Sequence, residues 1–109
     1  MLLDSVAAII PADKLRDYLL SSVHPIGRYK SAFFRSIGYL QEHWQLLERD
    51  LRAVLANEAE PSDVSEYGQK FTVRGTTTGP NGRTGRIVSV WIILAGERTP
   101  RFITAYPEI

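Results

Sequence analysis

The chain has 109 residues, with 13 lysines and arginines against 12 aspartates and glutamates, and no cysteine. That length holds one hydrophobic core, so residues 1–109 read as a single domain; the missing cysteines exclude disulfide staples and thiolate metal sites and fit a reducing, cytoplasmic setting. No apolar stretch approaches the ~20 residues of a membrane helix, and the stretch before Ile10 carries an acid and no cation, unlike a secretory signal.

Val6 to Ile10 reads as a short strand or extended lead-in. Pro11 suits a helix start, where its missing N–H is not needed. Leu15, Tyr18 and Leu19 follow at helical spacing, which predicts a helix over about 11–20. Ser21 to Gly27 is a loop, because Pro25 disfavours helix at His24. A second helix is expected from Tyr29 to Ile37, with Phe33, Phe34 and Ile37 inward and Gly38 as its stop. Leu40, Trp44, Leu47, Leu51, Val54 and Leu55 form the apolar stripe of a third. Residues 57–66 are acidic, contain Pro61 and Ser62, and read as a loop or linker.

From Tyr67 the period changes. Phe71 and Val73 alternate with Thr72 and Arg74, as in a strand with one wet face. Gly79-Pro80-Asn81-Gly82 is a turn, and no helix follows it to make a phosphate loop. Ile87 to Leu94 predicts a central strand covered on both faces, with Trp91 in the core. A further turn spans Gly96 to Pro100, and Phe102 to Tyr106 alternates as a last strand. The expected class is α+β: N-terminal helices (about 11–56) packed on one face of a C-terminal antiparallel β-meander of three to four strands (about 67–107). The helices would meet the central strand through Trp44, Leu47 and Leu51, leaving the other face open for binding.

The net charge of +1 hides a segregation, with acids dominating residues 42–66 and cations residues 68–109. A polar field of this kind gives one face suited to a polyanion; solvated strand faces give the same pattern. The most informative stretch is His24-Pro25-Ile26-Gly27-Arg28-Tyr29-Lys30. A helix start carrying cations is an anion site, and an imidazole moves protons at neutral pH. His24 is therefore a candidate proton carrier, Arg28 and Lys30 candidate phosphate partners, and Lys30 a candidate stabiliser of a pentacovalent transition state. Cations at a helix N-terminus oppose the macrodipole, which favours a site that expects an anion. Arg74, Arg86, Thr104 and Tyr106 offer guanidinium and hydroxyl groups on the predicted strands, and Arg74, Thr104 and Tyr106 fit one face. The ordinary alternatives are a helix-capping histidine, solvated cations and good strand formers. His43 reads as a surface or half-buried helical histidine, and two histidines without a third ligand signature make a poor zinc site. Ser21 and Ser22 lack the glycine-flanked elbow of a nucleophile.

Lys14-Leu15-Arg16-Asp17-Tyr18-Leu19-Leu20, His24-Pro25 with Gly27, Lys30 and Phe34, and Gly38 together resemble an uncharacterised bacterial domain of unknown function, number 6883. So do Glu66-Tyr67-Gly68, Thr78-Gly79-Pro80-Asn81-Gly82-Arg83, Val90-Trp91-Ile92 and Pro100-Arg101. That resemblance covers nearly the whole chain and names no activity. A weaker one does: a histidine, then glycine, lysine and an aromatic at a helix start, with a small sheet ending Thr104-Ala105-Tyr106-Pro107, is similar to metal-independent ribonuclease toxins of the barnase, EndoU, colicin and RelE group. It implies His24 as the proton-transfer residue, Lys30 as the charge stabiliser and Thr104 as the last-strand hydroxyl on the phosphate. EndoU-like members carry a second histidine close to the first; here the second is His43, on another predicted helix.

The expected function is a toxin-like endoribonuclease that forms a 2′,3′-cyclic phosphate without metal or cofactor, with His24, Lys30 and Thr104 catalytic and Arg28, Arg74, Arg86 and Tyr106 binding RNA. The alternative is a non-catalytic protein-binding module of a toxin–antitoxin or polymorphic toxin system, partnered by a small antitoxin or immunity protein. A third reading, a self-associating structural domain, would use an apolar patch of Leu2, Leu3, Val6 and Ile109.

Overall fold

The computed structural model describes residues 1–25 and 27–108. Ile26 of the predicted loop and Ile109 of the predicted patch lie outside the described residues. The patch itself divides, since Leu3 is buried in the core while Leu2 and Val6 are exposed.

The first helix, α1, begins as Ala12–Lys14 after an extended Pro11. It continues as a π-helical turn over Leu15–Leu19, where Leu20 N–H donates to the Leu15 carbonyl at 2.9 Å. The helix was predicted and the wider turn was not. Its physical reason is burial: an i to i+5 turn stacks Leu15 above Leu20, and both are buried together with Leu19. Helix α2 spans Gly27–Ser36, beginning before the predicted start. It ends in a Schellman motif. Gly38, at φ +105°, donates to the Arg35 carbonyl at 3.0 Å, and Tyr39 donates to Phe34 at 3.1 Å. A 3₁₀ turn over Gln41–His43 leads into α3, Trp44–Val54. Leu47, Leu51, Val54 and Leu55 of the predicted stripe are buried, but Leu40 precedes the helix and is exposed.

Four antiparallel strands follow in sheet order β1-β2-β3-β4, namely Ala59–Ser65, Gly68–Thr78, Thr84–Leu94 and Pro100–Pro107. The protein is thus α+β, with a meander as expected. The acidic segment read as a linker is the edge strand β1, which pairs Ala59 with Val73 and Pro61 with Phe71. Only Ala59 of β1 is buried, so the strand carries no alternation to read. A proline and acids are what an edge tolerates and uses against further pairing. The other edge, β4, is covered near its start by Ile9, whose N–H donates to Pro100 and whose carbonyl accepts from Phe102, both at 2.9 Å.

Strand β3 is central. Ile87, Ser89 and Trp91 face the helices and are fully buried. The Ser89 hydroxyl satisfies the buried indole, accepting from Trp91 Nε1 at 2.9 Å while donating to the Val73 carbonyl at 2.8 Å. On the opposite face Val88 is buried, flanked in register by Arg74 and Tyr106. Val90, Ile92 and Leu94 are only half-buried, so the predicted cover on both faces is incomplete. Helix α3 lies over β2 rather than the central strand, and α2 lies over β4. The Gly79–Gly82 turn docks on the end of α2, where Asn81 Nδ2 donates to the Ser36 carbonyl at 3.1 Å. The approach needs glycine, for a Cβ on Gly79 would stand 1.8 Å from the Ile37 carbonyl oxygen.

The last strand departs from simple alternation. Val90 pairs with Thr104 but Trp91 pairs with Phe102, which leaves Ile103 as a bulge. Phe102 and Ala105 both reach the core. The extra residue shifts the phase between them and turns Thr104 to the side opposite Ala105.

Candidate functional site

That phase shift supplies one wall of a cavity of about 530 Å³, lined by Asp13, Lys14, Asp17, Tyr18, His24, Lys30, Ile103 and Thr104. The three predicted catalytic residues come to it from three elements: His24 from the loop before α2, Lys30 from the first turn of α2, and Thr104 from bulged β4. Each is half-buried.

The loop is held from beneath. Buried Ser21 accepts through Oγ from the N–H groups of Val23 (3.3 Å) and His24 (3.1 Å). Arg28 N–H donates to the His24 carbonyl at 3.1 Å, so the loop passes directly into α2. The imidazole stands edge-on to the Tyr18 ring, with centroids 4.9 Å apart and planes at 84°. The side chain at Ser21 is thus a support, not a nucleophile.

Lys30 is the hub. Its ammonium donates to Tyr18 Oη at 3.0 Å and to Thr104 Oγ1 at 2.8 Å. It also lies 5.3 Å from the Tyr18 ring centroid and 5.9 Å from that of Tyr106, within cation–π range. Burial pushes the Tyr18 phenol up, but the hydrogen bond and charge of Lys30, with smaller contributions from Thr104 and Lys14, outweigh it. The phenol therefore titrates below its ordinary value. Lys14 Nζ donates to the carbonyl of the bulged Ile103 at 3.1 Å, tying α1 to β4 across the cavity. Asp17 is held by Arg16, Nε to Oδ1 at 2.9 Å.

The predicted binding residues separate. Arg28 is exposed on α2, next to His24 in the chain fold. Tyr106 presents its ring to Lys30 and is partly exposed. Arg74 and Arg86 lie elsewhere on the sheet, in a separate concavity of about 200 Å³ with Gly75, Thr76 and Glu108. Arg74 is bound by Glu60 (3.3 Å) and Glu108 (2.9 Å), and Arg86 by Glu108 (3.3 Å). Register does put Arg74 across from Val88 and Tyr106, so the shared face is present. The shared site is not, because acids from β1 and the C-terminal end hold both guanidiniums. Arg101 is likewise held by Glu97 at 3.2 Å, so Arg74, Arg86 and Arg101 of the basic half are each paired with an acid.

Sequence reading missed Tyr18, Ser21 and Lys14. Tyr18 looked like one more position of an apolar helix stripe, and only its hydroxyl end distinguishes it. His43 is exposed ahead of α3. Among the described residues, no group of three or more His, Asp or Glu is gathered to hold a metal ion, and no helix is long and apolar enough to cross a membrane.

A family described as "Domain of unknown function (DUF6883)" matches residues 1–109, the whole length. The chain belongs to this family. No curated protein matches the DUF6883 chain. Among solved structures, it is similar to a chain of the "Contact-dependent growth inhibition toxin - immunity protein complex from Klebsiella pneumoniae 342". The TM-score is 0.71 at 18% identity, over 93% of the DUF6883 chain and 100% of the other. At that identity the likeness is one of fold.

Proposed function

We propose that this DUF6883 chain is a toxin-like, metal-independent endoribonuclease that acts on cytoplasmic RNA and leaves a 2′,3′-cyclic phosphate. One observation carries the reading: His24, Lys30 and Thr104 line a single open cavity. In that cavity His24 takes the proton of a substrate 2′-hydroxyl as the oxygen attacks the adjacent phosphorus. Lys30 opposes the negative charge that builds on the phosphorane, and Thr104 Oγ1 holds one of its oxygens. Arg28, next to His24 along the chain fold, and Tyr106, whose ring lies against Lys30, meet the phosphate chain or a base. Arg74 and Arg86 are not assigned to this cavity, since they line a separate concavity and are paired with Glu60 and Glu108. A small immunity or antitoxin protein is the expected partner, in keeping with the complex from which the similar fold comes.

A second reading, a protein-binding module without catalysis, draws on the same likeness and on Asp13 and Asp17, which share the cavity wall with the cations and weaken its field for a polyanion. Incubation of the purified protein with mixed RNA in EDTA separates the two. Cleavage that survives chelation, yields cyclic phosphate ends and vanishes in Lys30→Ala supports the nuclease. Intact RNA across several sequences leaves the binding module.

A further inference from the structure

Cleavage through a 2′,3′-cyclic phosphate moves two protons, one off the attacking 2′-hydroxyl and one onto the departing 5′-oxygen. Only one imidazole lines the cavity, that of His24. We propose that the second proton carrier is Tyr18, whose phenol, held by Lys30 beside the His24 ring, protonates the leaving 5′-oxygen. This inference rests on the nuclease reading above.

The step balances. The 2′-hydroxyl gives its proton to neutral His24 and its oxygen bonds to phosphorus. The bond from phosphorus to the 5′-oxygen breaks, and that oxygen takes the Tyr18 proton. The products are a 2′,3′-cyclic phosphate and a 5′-hydroxyl, with imidazolium and phenolate left on the protein. Proton transfer from His24 to Tyr18 through solvent restores both.

The geometry suits a donor. Lys30 gives a hydrogen bond to the phenol oxygen at 3.0 Å, so the phenol's own hydrogen is directed elsewhere. The same ammonium is placed to stabilise the phenolate as it forms. Tyr18 and His24 stand as neighbours, 4.9 Å between ring centroids, on the wall that Thr104 completes. Charged and titratable groups facing this wall are Asp13, Lys14 and Asp17 from α1, His24 from the loop, Lys30 from α2 and Tyr106 from β4. Burial raises the phenol, but Lys30, with Thr104 and Lys14, outweighs it and leaves the phenol more acidic than usual, in the direction a donor to an alkoxide needs. Lys30 thus serves both the phosphorane and the acid.

The test compares RNA with uridine 3′-(p-nitrophenyl phosphate), whose leaving group departs without a proton. Tyr18→Phe keeps the ring against His24 and removes only the hydroxyl. RNA cleavage should fall about 10²- to 10⁴-fold, the usual contribution of one proton-transfer group, while cleavage of the activated ester is retained. The alkaline limb of kcat/KM on RNA should disappear with the phenol. His24→Ala should lose both substrates, and thermal melts of both variants confirm folding. Equal losses on both substrates in Tyr18→Phe would make Tyr18 a positioning residue for Lys30 and overturn the proposal. Unchanged RNA cleavage in Tyr18→Phe would overturn it while leaving the nuclease standing. Wild-type protein inert on both substrates would remove the nuclease reading and this inference with it.

Discussion

Lys30 and Thr104, 74 residues apart, are joined by a 2.8 Å hydrogen bond. The bond joins the first turn of α2, which carries Lys30, to a local irregularity, for β4 must bulge at Ile103 to turn Thr104 away from the core. Neither half of the fold contains the site, which forms where the helices dock on the last strand.

His24→Ala should lower RNA cleavage by about 10²- to 10⁴-fold without unfolding the protein, since the ring is half-buried and its loop is fixed by backbone bonds to Ser21. Initial rates with a melting curve check this. A folded variant that cleaves at the wild-type rate takes the imidazole out of the mechanism.

Lys30→Met should restore the Tyr18 phenol towards its ordinary value. Lys30 supplies the leading contributions that lower it against burial, so their loss shifts the titration upward. Ultraviolet difference spectra of the phenolate, with Tyr18→Phe as the subtraction, read the shift. Cleavage should also drop, by roughly 10²- to 10³-fold if the ammonium acts like one oxyanion donor.

Ser21→Ala removes an acceptor that two part-buried loop N–H groups share. Stability should fall by about 0.5–1.5 kcal/mol, the net worth of an ordinary hydrogen bond, since water can reach the donors. Cleavage should fall too, because His24 loses its support. Urea midpoints and single-turnover rates measure the two effects, and a destabilised variant with full activity would show that the loop tolerates the loss.

Gly79→Ala and Gly82→Ala should differ. At Gly79 the new methyl meets the Ile37 carbonyl oxygen, and at Gly82 (φ +85°) it meets open space. Gly82→Ala should cost about 1–2 kcal/mol for the left-handed backbone alone. Gly79→Ala should cost more, since the hairpin must leave the end of α2 or shift it. Paired denaturation curves decide the order.

Tyr39 gives a pH prediction. Burial first, then its hydrogen bond to the Asp50 carboxylate, raise the phenol well above its usual range. Unfolded tyrosine ionises near ~10, so above that pH the unfolded chain binds fewer protons than the native one, and stability falls as pH rises. Tyr39→Phe should flatten this alkaline decline. At neutral pH it should cost about 1–3 kcal/mol, because Thr77 and Asp50 lose a partner. Urea midpoints taken across the alkaline range test both parts.

Helices and strands were readable wherever a repeating apolar pattern lies within some ten residues. Leu47, Leu51 and Val54 mark α3, Phe71 and Val73 mark β2, and Gly38 marks the end of α2. Residues 24 and 30 stood out for a local reason as well, as charge and imidazole at a helix start. Strand β1 was not readable, since it buries Ala59 alone and is held by main-chain pairing to β2. The π turn, the Ile103 bulge and the role of Tyr18 escaped for the same cause. Each is settled by contacts with residues far along the chain, through burial of Leu15 with Leu20, phase against β3, and the ammonium of Lys30. Local propensity acts over a few neighbouring residues, whereas side-chain placement in a cavity is set by packing between elements that only folding brings together.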